Sequence, residues 1–168
     1  MSLGELIPWT NHEDPGVRYF SGTATYVRRV GISQDLLQKG RVLMLDLGNV
    51  REIAQVALNG KDLGVLWKPP FRVDITRAAK VGANDLEVRA TNLWPNRLIG
   101  DEQLPPDAEY NPGGPIRAWP SWLLEGKPRS SGRIAFTTWQ HWQKDSPLIE
   151  SGLLGPVTLR AGLKLPLR

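Results

Sequence analysis

Residues 53–76 read IAQVALNGKDLGVLWKPPFRVDIT. Asn59 and Gly60 stand between two runs in which apolar residues alternate. This dipeptide is the strongest short-range indication of a hairpin, because both central residues of a type I′ turn need positive φ. A proline pair interrupts the second run, and a third alternation begins at Phe71. The stretch therefore predicts a tight hairpin, a rigid corner and a returning strand, an order typical of an antiparallel β-sandwich rather than a parallel α/β sheet.

The same alternation extends over much of the chain. Leu43, Leu45 and Leu47 recur with period two, which is typical of a strand with one buried face. About eight strands are predicted, a number that suits an antiparallel jelly roll. They cover residues 17–30, 41–47, 52–58, 61–67, 71–75, 84–92, 133–142 and 154–161, and short helical turns are predicted at 33–38 and 76–80.

Several motifs carry a resemblance to known sugar-binding domains. The pattern Val-x-Leu-Asn-Gly-x-x-Leu-Gly at 56–64, with the motifs at 19–26, 70–76 and 82–88, resembles the galactose-binding-like jelly roll of family 2 glycoside hydrolases. The segments TNLWPNRLIGDE at 91–102 and SGLLGPV at 151–157 are similar to the C-terminal region of large glycosidases related to family 106 α-L-rhamnosidases. The resemblance covers roughly residues 17–160. It implies an all-β jelly-roll sandwich that acts as an accessory domain of a larger glycosidase, in a secreted or periplasmic bacterial parent.

The predicted organisation is one domain with one long irregular loop. Residues 1–15 are interpreted as a leader, 16–162 as the domain and 163–168 as a tail. The loop, at about 94–132, holds seven of the 14 prolines and shows no period of 2 or 3.6. Because it is rich in Trp and Leu, we expect it to be ordered and functional rather than disordered.

Composition excludes several classes of function. The net charge is +4 with basic residues scattered along the chain, which disfavours nucleic-acid binding. The absence of cysteine excludes disulfides and thiolate metal sites, and no apolar run is long enough for a membrane helix. His12 and His141, the only histidines, lack the spacing of a zinc site. No cofactor is expected, although a structural calcium, as in many jelly-roll sugar modules, stays open.

Five of the seven tryptophans lie between 94 and 142. An indole ring matches the apolar face of a sugar, and planar polar side chains match its hydroxyls. Each tryptophan has an alternative interpretation as core or interface, with Trp139 and Trp142 on opposite faces of a strand. The Arg97–Asp101 pair likewise has an alternative interpretation, as a structural ion pair. The predicted carbohydrate-binding residues are Trp94, Asn96, Arg97, Asp101, Trp119, Trp122, Trp139 and His141.

Three other functions stay open beside carbohydrate binding. The tryptophan-rich loop has the composition of a domain interface, and it would then dock on the catalytic domain of the same parent. A small standalone glycosidase would need two carboxyl groups about 5 to 9.5 Å apart. Its candidates are Asp101, Glu102, Asp107 and Glu109, whereas the resemblance places catalytic acids in a separate barrel, so no catalytic residue is expected here. A protein-binding module using the sandwich surface is the last alternative.

Overall fold

The computed structural model describes residues 4–165. These residues divide into two compact units. The sandwich unit comprises residues 4–8, 22–92 and 150–165, and the irregular unit comprises residues 9–21 and 93–149. The single domain over residues 16–162 stays a prediction. The two observed units divide the chain after residues 8, 21, 92 and 149.

The sandwich unit contains all nine strands that the described residues form. They are β1 (Thr23–Ile32), β2 (Arg41–Asp46), β3 (Asn49–Arg51), β4 (Ile53–Leu58), β5 (Lys61–Leu66), β6 (Arg72–Asp74), β7 (Gly82–Thr91), β8 (Gly152–Gly155) and β9 (Thr158–Leu163). One sheet has four strands in the order β1-β7-β4-β5, a second has three in the order β6-β2-β9, and β3 and β8 form a two-stranded pair. Every pairing between these strands is antiparallel.

Alternating residues of three strands build the core of this unit. In β4 the buried positions are Ala54, Val56 and Leu58, which are separated by less buried residues. The same two-residue period appears in β7 and β2, where Val88 and Leu43 are almost fully buried. Full burial of such side chains contributes about 1.5–3 kcal/mol each. The all-β antiparallel sandwich predicted from the alternation is therefore confirmed.

The β4–β5 hairpin has the predicted turn. Asn59 has φ 53° and Gly60 has φ 77°, the positive values that a type I′ turn requires. The Asn59 amide also donates to the Ala78 carbonyl oxygen at 2.9 Å and to Oδ1 of the buried Asn84 at 2.8 Å. Asn59 thus both forms the turn and connects it to β7 and to the segment that precedes β7.

Several predicted elements differ from the observed ones. The first strand begins at Thr23 rather than residue 17, because Asp14 caps a helical turn that precedes it. The helical turn predicted at 33–38 is confirmed as a 3-10 helix at Gln34–Leu37. At 76–80 there is instead a hydrogen-bonded turn, in which the amides of Ala78 and Ala79 donate to the Ile75 carbonyl.

The two last predicted strands were placed wrongly. Residues 133–142 form no strand, only an isolated bridge between Pro115 and Trp139. Residues 154–161 belong to two strands, β8 and β9, that are separated by Pro156. A proline cannot donate to a ladder, so a run of apolar residues around it is interrupted.

The irregular unit contains little regular structure. Its elements are a 3-10 turn at Trp9–Asn11, α1 (Pro15–Arg18), α2 (Pro95–Asp101) and α3 (Ser121–Leu124). Trp9 is buried and meets the Phe20 ring edge-on at 5.4 Å. Hydroxyl Oγ of Ser21 donates to the Leu93 carbonyl and accepts from the Arg97 amide, which fixes the start of α2.

One buried carboxylate joins the three strands of the three-stranded sheet. Asp46, in the central β2, accepts from Arg72 Nε of β6 at 2.8 Å and pairs with Arg160 Nε of β9 at 3.0 Å. The backbone N–H of Gly48 donates to its other oxygen at 3.0 Å. The Gly48 N–H lowers the pKa of Asp46 most, and the two guanidinium groups lower it further, against the opposing effect of burial.

We expect Asp46→Asn to reduce the free energy of unfolding at pH 7 by about 1–3 kcal/mol, since the two arginines lose their charged partner. Because the folded-state pKa is lowered, this contribution is present above the unfolded pKa of about 3.9 and is lost as the pH falls through the folded value. Urea unfolding of both proteins at pH 7 and pH 3 measures the difference. Asp85→Asn, which breaks a solvent-exposed pair with Arg29, is the matched control. An equal loss in both variants, or a loss unchanged at pH 3, would contradict this account.

Candidate functional site

The irregular unit is organised by three arginine–carboxylate pairs. The first joins Arg97 Nη2 to Asp101 Oδ1 at 3.1 Å within α2, with both side chains largely buried. The other oxygen of Asp101 accepts from the backbone amides of Ile134 at 3.1 Å and Ala135 at 2.6 Å. This carboxylate therefore fixes a remote segment of chain against the end of the helix.

The second pair joins Glu102 to Arg133 at 2.8 Å, again with little exposure of either side chain. Arg133 also donates to the carbonyl oxygens of Leu104 at 3.0 Å and Pro105 at 2.9 Å. The second oxygen of Glu102 accepts from Gln140 Nε2 at 2.9 Å. Glu102 is thus shared between a guanidinium and a side-chain amide.

The third pair is bidentate. Arg129 donates through Nε and Nη2 to the two oxygens of Asp107, at 2.7 and 3.1 Å, and through Nη1 to the Ala135 carbonyl at 2.7 Å. Ser131 Oγ donates to the same carboxylate at 2.6 Å. Burial raises the pKa of Asp107, but the hydrogen bonds from Arg129 and Ser131 outweigh it, so that the pKa is lowered. Asp107 is accordingly held in its charged form.

Trp122 supports this third pair. Its indole Nε1 donates to the Asp107 carbonyl at 2.9 Å, and the Arg129 guanidinium lies 4.9 Å from the centre of its ring. The ring also meets Phe136 edge-on at 5.5 Å. Trp122 therefore packs within the irregular unit. This agrees with the alternative interpretation of the tryptophans as core or interface residues.

Trp139 is fixed in place with part of its ring open to solvent. Its side chain is 45% exposed, and its ring stacks on His141 with centroids 5.8 Å apart and planes at 22°. The Gly114 backbone, at φ 104°, lies so close that a Cβ there would come within 2.5 Å of the indole Nε1. The backbone N–H of Gln140 donates to the Gly114 carbonyl oxygen at 2.8 Å. These contacts make a rigid, accessible aromatic surface.

A small depression lies beside this surface. Its lining includes the Glu102–Arg133 pair and the side chains of Trp139, His141 and Trp142. The cavity volume is about 20 Å³, which accommodates one water molecule. Pockets that enclose a ligand are typically about 300–1,000 Å³. A ligand much larger than a water molecule would therefore lie over the aromatic surface rather than inside the depression.

The structure places the predicted site residues in different surroundings. Trp139, His141 and Asp101 border the depression, whereas Trp94 and Trp119 are exposed elsewhere, Trp119 beside Phe136 at 6.3 Å. Asn96 is buried, and its amide donates to the Ile149 carbonyl and accepts from the Ile149 amide.

Three predicted residues have polar partners inside the unit, and their contact with a sugar stays a prediction. Asn96 bonds to Ile149, and Arg97 pairs with Asp101, although Arg97 Nε and Asp101 Oδ1 are buried atoms without a hydrogen-bond partner among the described residues. One correction follows from the fold. Trp139 and Trp142 do not lie on opposite faces of a strand, because residues 133–142 form none.

Sequence reasoning missed Gly114 and Arg133 as parts of the aromatic surface and its depression. These two residues lie on separate stretches of the chain, and no spacing rule joins them to Trp139. Pro112 and Pro115 flank Gly113-Gly114, and this pattern is the local sequence signal that could have indicated a tightly fixed turn here.

Among residues 4–165 there is no group of three or more His, Cys, Asp or Glu side chains placed to hold a metal ion. The open prediction of a structural calcium is not tested by this. No helix formed by these residues is long and apolar enough to cross a membrane.

The chain matches a small part of much larger glycosidases. A protein of Formosa agariphila named "Putative beta-glucuronidase" is 52% identical over 155 residues, which are 92% of this chain but 13% of that protein. The solved structure of a rhamnosidase from Novosphingobium sp. PP1Y aligns with a TM-score of 0.75 and 38% identity, over 95% of this chain and 13% of the rhamnosidase. No protein-family model matches. The predicted resemblance to a domain of large glycoside hydrolases is therefore confirmed.

We expect Asp107→Asn to reduce the free energy of unfolding by about 1–3 kcal/mol, because Arg129 keeps its buried position but loses its charged partner. Denaturant unfolding followed by tryptophan fluorescence measures the loss. Glu109→Gln removes a charge from an exposed pair with Arg117 in the same unit and should cost at most about 0.5 kcal/mol. The role given to the buried pair would be wrong if the two variants were equally stable.

Proposed function

We propose that this chain is a non-catalytic accessory domain of a larger glycoside hydrolase, and that its irregular unit binds carbohydrate on the Trp139–His141 surface. The match to 13% of two glycosidases supports the first part. The second part is supported by one observation above all. Trp139 is half-exposed, and its ring is held by Gly114 and His141, so little side-chain entropy is lost when a ligand stacks on it.

The polar groups around the ring suit a neutral sugar. Gln140 and Glu102 offer planar donors and acceptors for vicinal hydroxyls beside the stacking surface. The neighbouring guanidinium groups of Arg129 and Arg133 are already paired with carboxylates, so they have no unbalanced charge to attract an acidic sugar. We therefore expect a neutral sugar such as rhamnose to bind at least as well as glucuronate.

The four loop carboxylates lack the properties of a hydrolytic pair. A general acid for glycoside hydrolysis needs a raised pKa. That of Asp107 is lowered, and Asp101, Glu102 and Glu109 each pair with an arginine. These groups are arranged to neutralise charge, which argues against the standalone glycosidase.

A second candidate role is docking on the rest of the parent protein. Leu123 and Leu124 of α3 are 41% and 72% exposed, and the nearby Trp119 is 54% exposed. Aliphatic side chains offer no flat face to a sugar, whereas apolar and aromatic residues are typical of the centre of a protein interface. Both roles fit one domain, since these residues are distinct from Trp139 and His141.

We expect Trp139→Ala to weaken sugar binding by at least about tenfold, the effect of losing a central aromatic anchor. Calorimetric titration of the chain with L-rhamnose, D-galactose, D-glucuronate and short oligosaccharides containing them measures this. Trp119→Ala is the matched control and should leave the affinity within about twofold, because that ring belongs to the docking candidate.

Other outcomes discriminate among the remaining functions. No binding to any sugar, together with concentration-dependent self-association that Leu124→Ser abolishes, would favour docking alone. Turnover of aryl glycosides that is lost in Glu102→Gln would contradict the assignment as non-catalytic.

A further inference from the structure

The outer face of the four-stranded sheet of the sandwich unit carries exposed and half-buried side chains in all four strands. Its residues follow from the register, because alternate residues share a face and paired residues lie side by side. One row across β1, β7, β4 and β5 contains Thr25, Arg89, Gln55 and Val65. The neighbouring row contains Val27, Glu87, Ala57 and Asp62.

The polar side chains of this face are already fixed by one another. Arg89 Nε pairs with Glu87 Oε1 at 2.7 Å, and Gln55 Nε2 donates to Asp62 Oδ2 at 3.2 Å. These bonds run within the sheet face and leave further donors and acceptors directed to solvent. Side chains held in this way lose less freedom when a ligand binds.

An exposed tryptophan stands at one end of the face. Trp67 directly follows β5, two residues beyond Val65, and its side chain is 68% exposed. The register of β4 with β5 brings Ile53, which is 40% exposed, to the same end. The Lys68 ammonium lies over the indole ring, 5.1 Å from its centre, and most of the Trp67 side chain is still exposed. A Trp with this exposure beside Val65 and Ile53 is an apolar patch on an otherwise polar surface.

The charge of the face identifies the class of ligand. The cations are Arg29, Arg89 and Lys68, and they are matched by Asp62, Asp85 and Glu87. A balanced face gives no net attraction to nucleic acid or to an acidic polysaccharide. From Trp67 to Thr25 it spans three strand spacings of about 4.8 Å, roughly 14 Å. This length fits a short oligosaccharide rather than a single sugar.

From these observations we infer that the outer face of the β1-β7-β4-β5 sheet is a second carbohydrate-binding surface, which takes a neutral oligosaccharide. One sugar ring stacks on Trp67, and the following rings cross the strands and receive hydrogen bonds from Gln55, Arg89 and Thr25. The inference rests on the proposed function as a sugar-binding accessory domain, but it uses none of the residues of the Trp139 surface.

The test is a titration of the ¹⁵N-labelled chain with neutral tetrasaccharides of rhamnose, galactose and xylose, followed by amide chemical shifts. The expected shifts are at residues 25, 55, 65 and 89. Trp67→Ala should raise the Kd for the sheet-face response by about tenfold or more. Trp94→Ala, which removes an equally exposed indole, should change it less than about twofold.

A second pair of variants keeps the test independent of Trp67. Arg89→Gln should weaken the same response, whereas Arg117→Gln, at another exposed ion pair, should not. Shifts confined to residues 139–142 would overturn the sheet-face surface and leave the proposed function intact. Absence of shifts with every sugar would overturn both. A sheet-face response unaffected by Trp67→Ala, or stronger with oligogalacturonate than with neutral sugars, would overturn the inference alone.

Discussion

An irregular segment keeps a fixed shape only if its backbone and charged groups find partners inside it, and three arginine–carboxylate pairs provide them here. Asp101 binds the amides at 134–135, Arg133 binds the carbonyls at 104–105, and Arg129 joins Asp107 to the Ala135 carbonyl. These charged side chains therefore supply the hydrogen-bond partners that neighbouring strands would supply in a β-sheet. Removing one partner would leave its counterpart charged and largely buried, which is much more costly than losing an exposed pair.

The same pairs determine what this unit offers to a ligand. Because the carboxylates are neutralised, the surface beside Trp139 is polar without a strong field, and because the loop at Gly114 fits against the indole, the ring is held still. A rigid aromatic ring surrounded by planar hydrogen-bonding groups binds through shape and stacking rather than through charge. The surface proposed around Trp67 would bind through the same stacking and hydrogen bonding, with paired strands beside it in place of ion pairs.

The sequence predicted what depends on short-range chemistry. Asn59-Gly60 specified its hairpin, and the period of two in β4 and β7 identified the buried face, since both rules operate between near neighbours. The conformation of the irregular unit could not be predicted from such short-range rules. Residues 133–142 are rich in β-branched and aromatic residues but form no strand, because Arg133 and the amides at 134–135 bond to distant carboxylates instead of a neighbouring strand. Contacts between residues some thirty positions apart leave no local pattern to read.

Saturation-transfer difference NMR on methyl α-L-rhamnoside, with the unlabelled chain, tests the central claim most directly. If the sugar stacks on a fixed indole ring, the C–H protons of one sugar face receive most of the saturation, and the pattern collapses in Trp139→Ala. Uniform saturation of both faces, or an unchanged pattern in that variant, would contradict binding by stacking on the surface that the arginine–carboxylate pairs support.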